Sequence, residues 1–357
     1  MSFKKEKKER IENYILELIK NGNHEDVKQK TIYACDISPT TYYRYLKNLK
    51  DKNLIKEDKN NRYVLADVRK ELFCYKNKGL YEHEIYENDI DQFIKTLPKN
   101  IQNIWYYAFT EIMNNAIEHS SANEIHVLVA ETPLDIIIVI SDEGIGIFNN
   151  IKSFIEETTG EEISLEDAMR QLFKGKFTTK SENHAGEGIF FTSRIMDLFM
   201  IASSGLFFSH DNYKDLEAKI SDIVPNSTLL KKGTSVMMQL SKNSNKETRT
   251  IFNQFTTPDE GFFRTEIKLK NFCEHGYPVS RSQARRIFDG MNLFKEVTID
   301  FEGVSDLGQA FCHEIFVVFQ NKFPDIQIKA INANENVQGM ISRIINTEKL
   351  LKKKVKN

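Results

Sequence analysis

Apolar positions recur at helical spacing over residues 100–120, where Ile101, Trp105, Ala108, Phe109, Ile112 and Ala116 form one broad stripe. That stripe predicts a long helix with a single buried face. Upstream, Ile11, Ile15, Leu18 and Ile19 predict a helix over 4–21 that Gly22 stops. A second short helix is expected over 25–34. Ser38 and Pro39 then supply the cap and first turn of a third helix. Its register turns Tyr42, Tyr45, Leu46 and Leu49 inward and Thr41, Tyr43, Arg44 and Lys47 outward. Leu54 and Ile55, a polar turn over 56–62, and Tyr63, Val64 and Leu65 read as a two-stranded hairpin. Residues 67–90 are polar and mixed and read as a connector.

Beyond the long helix the period shortens to two. Ile125, Val127 and Val129 share one face of an expected strand, residues 131–133 turn, and an apolar run over 134–140 leads to Asp142. Ser164 and Asp167 match a capping box for a helix over 164–173. Gly186 and Gly188 open an apolar helix, and Gly233 and Thr234 precede a strand. After a polar linker at 243–260, strands are expected at 265–269, 296–304 and 326–331. Helices at 280–293, 308–323 and 336–351 alternate with them, which implies a small, mainly parallel sheet. The chain therefore reads as multidomain α/β, divided at 1–66, 67–90, 91–242, 243–260 and 261–357.

Composition narrows the class. A length of 357 residues with 40% hydrophobic and 28% charged content fits several globular domains. The formal net charge of −2 is unevenly spread. Residues 1–66 hold 15 Lys and Arg against 10 Asp and Glu, so this end is the one suited to a polyanion. Cys35, Cys74, Cys273 and Cys312 are scattered with no CxxC pair, which fits reduced thiols and a cytoplasmic setting. No apolar run is long enough to span a bilayer, so no membrane contact is expected.

Candidate chemistry begins on the long helix. Glu111 and Asn115 are four residues apart and share a face beside the apolar stripe. An Asn oxygen can bind Mg²⁺ without adding charge, and a Glu can orient or deprotonate a nucleophile. Asp142 ends a buried strand, where a carboxylate needs donors. An adenine amine would serve, and so would an Asx turn. Gly144 and Gly146 follow at once and let backbone approach a flat ring. Backbone N–H groups at the helix opened by Gly186 and Gly188 suit phosphates, with Lys180 as an added charge. Thr234 could hydrogen-bond beside the ring.

Taken in order, E-x-x-x-N on a helix, D-E-G-x-G after a strand, G-E-G before a helix and G-T-S before a strand resemble one superfamily. It is that of gyrase B, the sensor histidine kinases, heat-shock-90 chaperones and mismatch-repair MutL, over roughly residues 86–242. The resemblance implies a Bergerat α/β sandwich, ATP bound with Mg²⁺, and a mobile lid. It assigns Asn115 to the metal, Glu111 to catalysis and Asp142 to adenine. It gives Gly144, Gly146, Gly186, Gly188 and Thr234 to the nucleotide. Glu187 departs from the pattern, since a small or apolar residue usually stands between those glycines. The C-terminal segments resemble the STAS-like domain of unknown function. Ser305-Asp306-Leu307-Gly308 stands where STAS proper carries its Asp-Ser-Ser-Gly phosphoacceptor turn.

Residues 1–66 resemble a winged helix-turn-helix, with Thr41, Tyr43, Arg44 and Lys47 on the recognition helix facing DNA. These parts suggest an ATP-driven regulator that binds DNA at one end and a protein partner through the STAS-like end, with a homodimer left open. The alternative is a serine/threonine kinase of the anti-sigma-factor type acting on a STAS partner. The 66–90 connector is too short for the dimerisation and phosphoacceptor helices of a histidine kinase. No transducer domain follows the ATPase, as a topoisomerase or mismatch-repair role would need.

Overall fold

A computed structural model describes residues 2–22, 26–175, 187–209, 232–257, 259, 261–272 and 277–356. Two compact units share the chain. One comprises residues 1–147 with 192–247, the other 148–191 with 248–357.

The first unit opens with α1 (Ser2–Lys20), α2 (Val27–Cys35) and α3 (Pro39–Asp51). Ser38 caps α3 as expected, its Oγ accepting the Thr41 N–H at 3.2 Å. Ile11, Ile15, Ile19, Tyr42, Leu46 and Leu49 meet in one apolar cluster. β1 (Ile55–Glu57) and β2 (Tyr63–Leu65) then pair antiparallel, and Ile55 joins that cluster. Asp58 closes their turn, with Oδ1 accepting the N–H groups of Asn60 and Arg62, each at 2.8 Å.

A sheet follows, built from β3 (Arg69–Lys76), β4 (Glu124–Glu131), β5 (Asp135–Asp142), β6 (Leu198–Ser203), β7 (Leu206–Ser209) and β8 (Thr234–Ser241). Among the described residues its order is β3-β4-β5-β8-β6-β7, with every neighbouring pair antiparallel. The expected connector at 67–90 is thus corrected, because it supplies edge strand β3. It also begins a helical run formed by α4 (Glu82–Ile85), a π turn (Tyr86–Ile90) and α5 (Asp91–Ile94). β3 alternates half-buried and exposed residues, so it lacks the apolar run that marks a covered strand.

The long helix, α6 (Lys99–His119), lies against β5, and all six residues of its predicted stripe are buried. The run 136–140 within β5 is wholly apolar because both faces of the strand are covered. Ile136, Ile138 and Ile140 are buried on one face, while Val139 on the other joins Leu198, Met200 and Met237. The start of β5 also holds the N-terminal helices. Leu134 belongs to their apolar cluster, and Lys20 Nζ donates to Asp135 Oδ1 at 2.6 Å.

In the second unit, β11 (Arg264–Lys268), β12 (Glu296–Asp300) and β13 (Gln327–Ile331) form the expected parallel sheet, with β12 central. Helix α11 (Arg281–Phe288) has a full capping box from Ser280 and Gln283. It stops five residues before the predicted end because Asp289 is extended and Gly290 is left-handed. Further helices here are α12 (Gln309–His313), continued by a π segment (Glu314–Phe319) and α13 (Gln320–Lys322), and α14 (Glu335–Lys356).

The expected linker at 243–260 holds structure of its own. It contains α10 (Thr248–Phe255) and β9 (Thr256–Thr257), which pairs with β10 (Gly261–Phe262). Residues 148–191 fold with this unit. They include most of α7 (Ile147–Thr159), all of α8 (Leu165–Lys174) and the start of α9 (Gly188–Ile195). The Lys174 ammonium is buried and donates to Arg286 O and Asp289 O at 2.9 Å each, satisfying carbonyls at the end of α11. Desolvation lowers its pKa to about 8. Phe190 and Phe191 pack edge-on or tilted against Phe252, Phe255 and Phe262 at centroid distances from 4.3 to 6.2 Å.

Candidate functional site

The site forms where the end of α6 meets the end of β5. Glu111 and Asn115 are both half-buried at the edge of the α6 stripe, one turn apart. The helix ends at Ser120, whose carbonyl accepts the Ile145 N–H at 2.9 Å. That bond brings the loop after Asp142 onto the terminus of the helix that carries Glu111 and Asn115. Gly144 makes the approach possible, since a Cβ there would lie 1.8 Å from Ser120 O. Gly146 has φ +82°, a conformation that L side chains rarely adopt, and a Cβ would meet Ser203 Oγ at 2.7 Å.

Asp142 is only 4% exposed. It is flanked by β4 and β8, opposite Ile125 and Thr234. Its Oδ1 accepts the Gly144 N–H at 2.8 Å. Burial pushes the carboxyl above its ordinary range, and the backbone N–H groups of Gly144 and Thr234 pull the other way. The Asx turn is therefore present. It uses the carboxylate to rigidify the loop and leaves acceptor capacity over, because an ionised carboxylate offers about four lone-pair sites.

Thr234, at the first position of β8, accepts the Ile147 N–H on its Oγ1 at 2.9 Å. This hydroxyl still has its proton to donate. At Gly233, just before β8, a Cβ would lie 1.9 Å from Asp142 O. Its carbonyl is held by the buried Ser203 hydroxyl at 2.7 Å, and behind it the Ser141 and Ser235 hydroxyls bond at 2.9 Å. A Gly-Thr pair just before a strand was the only sequence signal for this floor.

Glu111, Asn115, Asp142, Gly144, Gly146 and Thr234 thus all lie in the first unit, on two touching element ends and the strand beside them. Gly188 opens α9 and belongs to the second unit. Lys180 and Gly186 lie outside the described residues. On α3, Arg44 and Lys47 are exposed and Tyr43 is 54% exposed, whereas Thr41 is half-buried and bonded to Ser38.

The donor set fits a nucleotide with its metal. A buried carboxylate with spare acceptor sites and glycines with no room for Cβ flank a helix that presents a carboxamide and a carboxylate. Residues 283–338 match the family described as STAS-like domain of unknown function. No curated protein matches the chain. Residues 101–244 match the family described as Histidine kinase-, DNA gyrase B-, and HSP90-like ATPase, so the chain carries an ATPase domain of this kind ahead of a STAS-like domain.

Proposed function

We propose that this protein is a regulator that binds ATP with Mg²⁺ and hydrolyses it slowly to reset a conformational switch. Asp142 carries the reading, as a buried carboxylate held ready in a glycine turn beside the ATPase helix. In this scheme Asp142 accepts from the adenine amine, Gly144 and Gly146 let backbone lie against the ring, and Thr234 donates its hydroxyl proton. Asn115 gives Mg²⁺ an uncharged oxygen, and the ion neutralises charge on the phosphates. Lys180, Gly186 and Gly188 take the phosphates, and Glu111 faces the attacking water. Calorimetry with Mg-ATP tests this. Asp142→Asn turns one acceptor into a donor and should weaken binding by about 1–3 kcal/mol, with Asn115→Ala weakening it only when Mg²⁺ is present. Unchanged affinity in both variants would remove the reading.

The switch has its support in the chain path. Gly188 follows the Asp142 loop within the segment 148–191, which belongs to the same unit as the C-terminal residues. That unit also carries the STAS-like sheet. That sheet is the part we assign to a protein partner.

We read residues 1–66 as a winged helix that binds duplex DNA through Tyr43, Arg44 and Lys47. Three helices, a hairpin and the basic excess support this reading. In the full chain, the double variant Arg44→Ala/Lys47→Ala should weaken binding to any duplex and lower the slope of log affinity against log salt by about 2. Fluorescence anisotropy over a salt series reads both. No affinity of the parent protein for duplex, even at low salt, would assign the head to protein contacts instead.

A further inference from the structure

The edge of the six-stranded sheet brings together three side chains that the ATPase reading leaves unused. Cys74 on β3 lies directly across from His126 on β4, and Glu124 leaves the same face of β4 two residues earlier. Opposed residues in such a ladder hold their Cβ atoms about 5 Å apart, and a long side chain reaches its diagonal neighbour. The Cys74 thiol meets Glu124 Oε2 at 3.8 Å. One ligand atom from each of Cys74, Glu124 and His126 lies within 4.8 Å of the other two, the one such group of His, Cys, Asp or Glu among the described residues.

We propose that Cys74, Glu124 and His126 form a zinc site on the open face of this sheet edge. A thiolate, an imidazole and a carboxylate are the donors Zn²⁺ accepts together. A hard ion such as Mg²⁺ or Ca²⁺ calls for a set of oxygens. Three protein ligands leave the fourth tetrahedral position to water or to another ligand. Zinc bonds of about 2.0–2.3 Å require the donors to draw closer than they stand, and rotation of exposed side chains suffices for that. Cys74 and Glu124 are exposed and His126 half-buried, so an ion can reach all three.

The ordinary alternative is a pair of cross-strand neighbours that share a weak S–H···O bond. It predicts no ion. A bound ion would fasten β3, which follows the N-terminal helices, to the rest of the sheet.

The test uses the full chain, reduced and stripped with chelator, titrated with Zn²⁺ by calorimetry and with Co²⁺ as a spectroscopic probe. The expected result is one equivalent of Zn²⁺ and a thiolate-to-cobalt charge-transfer band. Cys74→Ser, Glu124→Gln and His126→Gln should each lose at least about tenfold in affinity. Mg-ATP affinity unchanged in the three variants shows that they are folded and that the ion is not at the nucleotide site. Cys35, Cys273 and Cys312 remain in every variant, so loss in Cys74→Ser assigns the sulfur. Absence of Zn²⁺ binding, binding unchanged in the variants, or loss confined to Cys74→Ser would each overturn the proposal.

Discussion

Glu111→Ala is expected to slow ATP hydrolysis by about 10²–10⁴-fold while Mg-ATP affinity stays within a few-fold. The expectation follows from where α6 places the carboxylate. Glu111 stands one turn before Asn115 on the same half-buried edge, so in the proposed reading the helix that would offer an oxygen to the metal would also offer a base near the γ-phosphate. A general base acts on the proton of the incoming nucleophile, which is a transition-state interaction. Its removal therefore lowers turnover and leaves ground-state binding largely intact. Phosphate release in single-turnover assays and calorimetry on the same variant separate the two. Equal loss in both would make Glu111 a binding residue. The identity of the nucleophile is read in the same experiment with γ-labelled ATP. Free phosphate supports hydrolysis, whereas label on serine of this chain or of a STAS partner, lost in Glu111→Ala, selects the kinase alternative.

Lys20→Met should destabilise the first unit by about 3 kcal/mol at neutral pH, among the largest costs a single surface-adjacent change can carry. The Asp135 side chain is 2% exposed and the Lys20 side chain 24%, with 2.6 Å between Nζ and Oδ1. Removing the lysine leaves a buried carboxylate with Gln239 as its remaining side-chain donor. The same pair sets a pH dependence. Burial raises the Asp135 carboxyl above its ordinary 3.8, with the Lys20 bond opposing that rise. A raised native pKa means that the folded state takes up a proton before the unfolded state does. Stability from this group is thus full below 3.8 and falls as pH rises through the native value. Losing Lys20 raises the carboxyl further. The deficit of Lys20→Met should accordingly be largest at neutral pH and narrow as the solution is acidified. Urea denaturation at several pH values reads this, and a deficit independent of pH would mean that the loss is one of packing.

Much of the ATPase core was legible in the sequence, because its signals are local and periodic. The stripe from Ile101 to Ala116, the Ser38 and Ser164 caps, and the apolar run ending at Asp142 each sit within one element. Gly144 and Gly146 were legible as positions of close approach, but the neighbour that crowds Gly144 is Ser120, which lies on another element. β3 was missed for the opposite reason, since an edge strand with one exposed face alternates half-buried and polar residues. Three other features rest on partners far apart in sequence and leave no local trace. They are the pairing of Lys20 with Asp135, the use of Lys174 to hold Arg286 O and Asp289 O, and the convergence of Cys74 on His126.

The allotment of residues 148–191 to the C-terminal unit bears on how such a protein can be cut and recombined. The stretch that matches the ATPase family, 101–244, is contiguous in sequence, yet its middle folds elsewhere. A fragment with those ends would expose Phe190 and Phe191 without Phe252, Phe255 and Phe262, and would leave the Lys174 ammonium without its two carbonyls. Such a piece should be prone to aggregation whatever becomes of its nucleotide site. Grafting a foreign output domain after residue 247 meets the same obstacle. Moving the ATPase-like and STAS-like segments together avoids both losses, because residues 148–191 then keep the C-terminal residues they fold with.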